Sequence, residues 1–272
     1  MRSGASRLSG QAVLITGASS GIGRMTSFAM ARAGASVELV ARRAPRLQEV
    51  AAEIRAQGGA SDVFPGDVTD PQILEGAVEQ CVRRFGRLDI LVNNAGEGLF
   101  ATIEQTTPAD LERMLAVNFK ATFYGVKAAL PVMHQQGSGH IINVASTAGR
   151  RGLPYVGAYS AAKFAVVGLT ESLRSELIGT GIKVSLVLPG TTRTDFFDVA
   201  LRRTEYHRGK VGPIEEAETV AERIVDVALR PRAEVMAQPI RRKVLLGVNL
   251  LAAGLVDRLL LKMVRSGAFD HA

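Results

Sequence analysis

Val13 to Gly23 reads VLITGASSGIG. Valine, leucine, isoleucine and threonine form a short strand-like run that passes without a break into spaced glycines, and a helix is predicted from near Ile22 to about Ala33. Gly17, Gly21 and Gly23, with Ser19, Ser20 and Ile22 between them, therefore occupy a strand-to-helix turn. In such a turn the backbone can approach a ligand closely and the first helical N–H groups point outward, which suits a pyrophosphate. Spaced glycines also mark ordinary turns. Their position at the first strand and first helix of an alternating pattern favours phosphate binding.

The alternation continues outward from this stretch. The runs AVLIT, SVELVA, SDVFP, DILVNN, HIINVAS and KVSLVL are separated by longer segments of helical periodicity as far as about residue 190. Repetition of this kind predicts a parallel sheet covered by helices on both faces. The nearly continuous apolar character of the runs fits strands buried on both sides. A chain of 272 residues, 47% of them hydrophobic, suits one large domain. Its predicted parts are a flexible tail over residues 1–9, a catalytic body over 10–231 and a C-terminal extension over 232–272.

The second strand, Val37 to Ala41, ends in ARR. In a doubly wound sheet this end lies beside the adenosine ribose, where an acid selects a free 2'-hydroxyl and an arginine accepts a 2'-phosphate. Arg42 is read as that selector because a guanidinium donates paired, charge-assisted hydrogen bonds. Arg43 is read as a solvated loop side chain. NADP(H) is the expected cofactor and NAD(H) the second candidate.

Composition narrows the function classes. The net charge is +7, but tryptophan is absent, aromatic residues make up 5%, and no basic block is interleaved with aromatics, which argues against nucleic acid. Cys81 is the one cysteine, so no internal disulfide forms, and the histidines lack metal-ligand spacing. No signal-peptide pattern opens the chain, and a reducing, cytoplasmic location is expected.

Further motifs make the chain resemble the short-chain dehydrogenase/reductase family. Thr16, Gly17, Gly21 and Gly23 match its TGxxxGxG turn, Asp67 and Val68 its adenine-contacting pair, and Asn93 to Gly96 its NNAG segment, with Asn94, Ala95 and Gly96 toward the cofactor. Asn118, Ser146, Tyr159 and Lys163 match its tetrad, and Pro189 and Gly190 its PG pair. The similarity covers roughly residues 10 to 230. It implies a single Rossmann-type α/β domain with seven parallel strands in the order 3-2-1-4-5-6-7, and hydride transfer between a nicotinamide cofactor and an alcohol or carbonyl. It further implies that Asn118 holds a water linking Lys163 to solvent, that Lys163 contacts the nicotinamide ribose, and that Thr192 and Thr194 contact the carboxamide.

The chemistry also follows from residue types. Tyr159 and Lys163 are four apart on a helix starting near Val156, hence on one face, with small residues between them. A free phenol has a pKa near ~10, and a neighbouring ammonium is expected to lower it toward a working acid/base range. Ser146, ending HIINVAS at the carboxyl edge of the sheet, can hydrogen-bond the substrate oxygen.

The expected substrate wall comprises Leu99, Phe100, Leu153, Tyr155, Phe196, Phe197 and Tyr206, the last three within a lid over residues 195–213. Aromatic and positive groups there predict a lipophilic carbonyl or alcohol. Residues 232–265 carry seven Lys/Arg against two acids, a net +5. Arg258, Lys262 and Arg265 lie on one helical stripe, with Leu255, Leu259 and Met263 on another face. This extension is expected to close the pocket or form a subunit contact, with association at an anionic membrane surface as the alternative. A homodimer or homotetramer is expected. Two other functions stand beside the lipophilic-ketone reductase: reduction of a carrier-bound 3-oxoacyl thioester, and dinucleotide binding without turnover.

Overall fold

The computed structural model describes residues 7–204, 214–237, 244, 246–249 and 251–265. Its main sheet contains β1 (Ala12–Thr16), β2 (Ser36–Ala41), β3 (Ala60–Pro65), β4 (Ile90–Asn93), β5 (Gly139–Val144), β6 (Ile182–Leu188) and β7 (Glu234–Met236). They pair in parallel in the order 3-2-1-4-5-6-7, as expected. The helices are α1 (Gly21–Arg32), α2 (Ala44–Ala56), α3 (Pro71–Phe85), α4 (Pro108–Leu115), α5 (Ala121–Gln136), α6 (Gly157–Glu176), the single turn α7 (Phe196–Val199), α8 (Ala217–Leu229) and α9 (Ala253–Arg265).

Alternate residues of β1 enter separate apolar layers. Val13 and Ile15 pack with Phe28, Val50 and Ile224 of α1, α2 and α8; Ala12 and Leu14 pack with Leu74, Val78 and Met133 of α3 and α5. Burial on both faces explains why the strand reads as a continuous apolar run. The chain steps from β1 to β2 on one side and later enters β4 on the other. The crevice for a ligand therefore opens at the carboxyl ends of β1 and β4.

Three features differ from the sequence reading. Leu8, placed in the tail, is buried and its N–H bonds Ala33 O at 2.8 Å, because the end of α1 offers it both an apolar seat and a carbonyl acceptor. Strand β7 falls inside the stretch assigned to the extension; three residues are too few to display a periodicity, and pairing to β6 defines them. The helical segment carrying Asn118, which from the sequence shows no break, is interrupted between α4 and α5 by a π-helical turn, Ala116–Lys120. Such turns bulge a helix outward and recur at functional positions. Asn118 sits in this one.

Candidate active site

One cleft of about 600 Å³ runs along the carboxyl edge of the sheet. From the glycine turn it is lined by Gly17, Ser19, Ser20, Gly21 and Ile22; beyond β2 and β3 come Arg42, Arg43, Asp67 and Val68; beyond β4, Asn94, Ala95 and Gly96. Ser146, Tyr159 and Lys163 line the other half, together with Pro189, Gly190, Thr192 and Thr194. Segments far apart in sequence meet because parallel strands deliver every following loop to the same edge.

The glycine turn is built for close backbone approach. Gly17 and Gly21 have φ of 69° and 52°, in the left-handed region that favours glycine. A Cβ on Gly23 would stand 2.3 Å from Gly17 O, so this residue lets α1 pack onto the turn. Ser20, at the N-cap of α1, makes no side-chain cap bond, leaving the first-turn N–H groups without a side-chain acceptor. A phosphate suits that vacancy of acceptors, and Thr194 closes over it at 3.1 Å from a Cβ on Gly21.

Thr16 and Gly23 lie beneath the cleft and do not line it. Thr16 Oγ1 accepts from Asn94 N and Ala95 N, both at 3.0 Å, and Asn94 Nδ2 donates to Thr16 O at 3.0 Å. These bonds tie the glycine turn to the NNAG segment and use the Asn94 amide internally. Asp67 Oδ1 likewise accepts from Thr69 N and Oγ1 at 3.0 and 2.9 Å.

At the adenosine end, Arg42 is held by acids. Its Nη2 donates to Glu97 Oε1 at 2.5 Å, and its Nη1 lies 3.9 Å from Asp67 Oδ2. Glu97 also takes Arg113 at 2.7 Å. Since β1 separates the strands preceding Arg42 and Glu97, this ion pair spans the crevice above the glycine turn. Arg43 differs from its reading as a solvated side chain: its Nη2 donates to Ser19 Oγ at 3.1 Å and Ser20 Oγ at 2.8 Å. The serines project toward β2 from the turn, a proximity that linear sequence does not display.

Around Tyr159, α6 is pinned to the sheet by a buried polar chain. Asn93 Nδ2 donates to Asn143 Oδ1, and Asn143 Nδ2 donates to Thr170 Oγ1, both at 2.9 Å. Tyr159 hydrogen-bonds Ser146, and Lys163 Nζ donates to Val144 O at 3.2 Å. Lys163 Nζ stands 5.8 Å from the Tyr159 ring centroid. Burial pushes the Tyr159 hydroxyl up to about 12, partly offset by Ser146, and pushes Lys163 down to about 8. The expected lowering of the phenol by its lysine neighbour is thus outweighed by desolvation, which disfavours both charged forms.

Asn118 is fully buried and aligned by backbone. Its Nδ2 donates to Glu97 O at 2.9 Å and Met114 O at 3.2 Å, and its Oδ1 accepts from Glu97 N at 3.2 Å. A Cβ on Gly96 would meet Asn118 Oδ1 at 2.8 Å and Lys163 Nζ at 3.5 Å, so glycine there keeps both groups open to one space.

The substrate end is apolar. Phe196 packs edge-on to Tyr159 with centroids 5.7 Å apart, Phe197 packs on Phe196 at 5.5 Å, and Phe100 lies 6.1 Å from Phe197. Leu99, Leu153 and Tyr155 also line this end. Tyr155 has a φ of 65°, alone among the described non-glycine residues in being positive, and its carbonyl accepts from Ala101 N at 2.8 Å. Backbone held in that region is costly and concentrates at functional sites. The base of the expected lid is fastened at Arg203, which donates to Asp110 at 3.1 Å. Tyr206 and residues 205–213 lie outside the described residues.

Sequence reasoning missed Glu97, Arg151 and Leu260 as cleft residues. An acid directly after NNAG was a visible signal for Glu97; the expectation that the extension closes the pocket pointed at this part of the chain but did not single out Leu260 of α9.

A family profile described as short chain dehydrogenase matches residues 11–204. An uncharacterized oxidoreductase of Thermotoga maritima is 41% identical over 186 residues, covering 68% of this chain and 73% of that one. A 3-oxoacyl-(acyl-carrier-protein) reductase of the same organism is 34% identical over 237 residues, covering 86% and 96%. The crystal structure of a metagenomic short-chain oxidoreductase in complex with NADP is similar with a TM-score of 0.73 at 32% identity, over 85% of this chain and 98% of that chain.

Proposed function

The chain belongs to the short-chain dehydrogenase family, oxidoreductases of CH–OH groups, and on that premise we propose that it interconverts a carbonyl and a secondary alcohol on a lipophilic substrate with NADP(H). The observation that carries this reading is the single cleft joining the glycine turn and two arginines to Ser146, Tyr159 and Lys163. The Thr192 and Thr194 segment lines the cleft, with Thr194 against the Gly21 turn, and is assigned to cofactor orientation.

When bound, the nicotinamide supplies hydride to the carbonyl carbon in reduction and accepts it in oxidation. In reduction, the Tyr159 hydroxyl donates its proton to the carbonyl oxygen. Ser146 donates a hydrogen bond to that oxygen and steadies its developing charge. Tyr159 is then reprotonated from the side of Lys163, whose ammonium stands 5.8 Å from the Tyr159 ring centroid and, as a nearby positive charge, would favour the transient phenolate. The common space beside Gly96 supports Asn118 as holder of a water between Lys163 and solvent. Oxidation reverses these transfers. Burial keeps the Tyr159 hydroxyl protonated, the form that donates in reduction.

The aromatic wall of Phe100, Phe196 and Phe197 supports the lipophilic substrate. The similarity to a 3-oxoacyl-(acyl-carrier-protein) reductase favours a carrier-bound 3-oxoacyl thioester as the second reading. A non-catalytic dinucleotide binder is the third, and the intact Ser146, Tyr159 and Lys163 set counts against it. Leu111, Phe123 and Phe164, exposed on α4, α5 and α6, support assembly as a homodimer or homotetramer. The proposal also includes peripheral association through the C-terminal extension.

The test is NADPH consumption measured across aliphatic, aromatic and steroid ketones and 3-oxoacyl thioesters. Tyr159→Phe is expected to lower kcat by roughly 10²–10⁴-fold while retaining NADPH binding. A retained rate refutes the acid/base assignment, and turnover confined to thioesters selects the second reading.

A further inference from the structure

Helix α9 has two faces with different occupations. On the inner face, Val256 and Leu260 are buried, Leu260 lines the cleft, and Asp257 pairs with Arg151, another cleft residue. On the outer face, Leu255 and Leu259 are 63% and 48% exposed, and Leu251 just before the helix is 92% exposed. Arg258 and Lys262 are exposed among these leucines. Leu255, Arg258, Leu259 and Lys262 follow i, i+3, i+4, i+7 spacing, so the basic stripe and the leucines, read from the sequence as separate faces, adjoin in one exposed strip that is both apolar and positive. Asp257, the only acid in α9, is already paired with Arg151.

From this arrangement we propose that the outer face of α9 docks on an anionic lipid surface, placing the substrate end of the cleft beside the bilayer. The leucines enter the acyl boundary while Arg258 and Lys262 meet anionic headgroups. Among the described residues no helix is long and apolar enough to cross a membrane, so the geometry is that of a helix lying in the interface. Val199, which lines the same cleft, is 74% exposed and extends the apolar character of its rim. Charge complementarity selects the occupant: the strip carries Arg258 and Lys262 while the helix's acid, Asp257, is paired with Arg151, so a second copy of the same strip would repel it and an anionic bilayer attracts it. The implication for substrate delivery rests on the lipophilic-substrate reading; the docking does not.

The experiment is co-sedimentation of the full chain with phosphatidylglycerol/phosphatidylcholine vesicles and with phosphatidylcholine vesicles, at low and high salt. Binding is expected to anionic vesicles and to weaken with salt. Leu255→Glu/Leu259→Glu and, separately, Arg258→Gln/Lys262→Gln should each reduce partitioning by roughly tenfold or more. NADPH affinity and mass by light scattering should stay unchanged, since both substitutions lie on the exposed face. Equal partitioning of variants and wild type, or no wild-type binding to anionic vesicles, overturns the proposal. So does a halved particle mass in the leucine variant, which assigns the face to a subunit contact. NADPH binding and ketone turnover measured without vesicles report separately on the proposed enzymatic function.

Discussion

Replacing Arg42 with alanine tests the cofactor reading through a magnitude the structure constrains. A hydrogen bond to a charged group contributes about 1.5–3 kcal/mol, equivalent to roughly 10- to 150-fold in affinity. Arg42 is 55% exposed and already engaged by Glu97 at 2.5 Å, so phosphate binding exchanges one anionic partner for another in a partly solvated place. The lower end applies, and Arg42→Ala should weaken NADPH by about tenfold while leaving NADH within about twofold. The same geometry predicts the opposite response to Glu97→Gln: removing the competing carboxylate should tighten NADPH by a few fold. Fluorescence titration of both dinucleotides into wild type and each variant measures these shifts. An unchanged NADPH/NADH ratio in Arg42→Ala refutes Arg42 as selector. In that event the Arg43→Ala titration reassigns the role to the neighbour that reaches Ser19 and Ser20.

Other expectations concern packing and protonation. Gly23→Ala places a methyl 2.3 Å from Gly17 O, so the turn must shift, and both the melting temperature and dinucleotide affinity should fall; unchanged values in a thermal-shift titration refute the packing argument. Glu38, buried in β2 with one oxygen unpartnered, is raised to about 8 chiefly by burial and then by Asp62. The folded state therefore retains a proton that the unfolded chain releases, and stability should decline as pH rises from about 4.5 to about 8. Glu38→Gln should flatten that decline, raising the melting temperature at pH 8 far more than at pH 4.5; parallel profiles refute it. Phe196→Ala removes the ring against Tyr159 and should raise KM for lipophilic ketones by about tenfold, leaving NADPH affinity near wild type. An unchanged KM displaces Phe196 from the substrate wall.

The fold was legible because strands buried on both faces need apolar residues at nearly every position, and because VLITGASSGIG joins a strand to a helix through glycines at the required conformations. Tyr159 and Lys163 were legible as a pair because helical spacing alone puts them on one face. The π-helical turn around Asn118 was not, since no local spacing marks its extra residue and the Asn118 side chain meets Glu97 backbone only in the folded chain. Strand β7 had too little sequence to show a period and is defined by its pairing with β6.

By itself, then, the sequence determined the alternation of parallel strands and helices, the glycine turn and the types of group that can carry proton transfer, because each depends on local spacing or on a recurrent pattern of burial, while the strand order followed from the family resemblance. Tertiary structure decided the rest. It bound Arg42 to Glu97 and Arg43 to the turn serines, reversed the expected pKa shift of Tyr159 through burial, and carried Leu260 into the cleft while leaving Leu255 and Leu259 on the surface. Those outcomes depend on distances between residues remote in sequence and on how much water reaches them, quantities that exist only once the chain has folded.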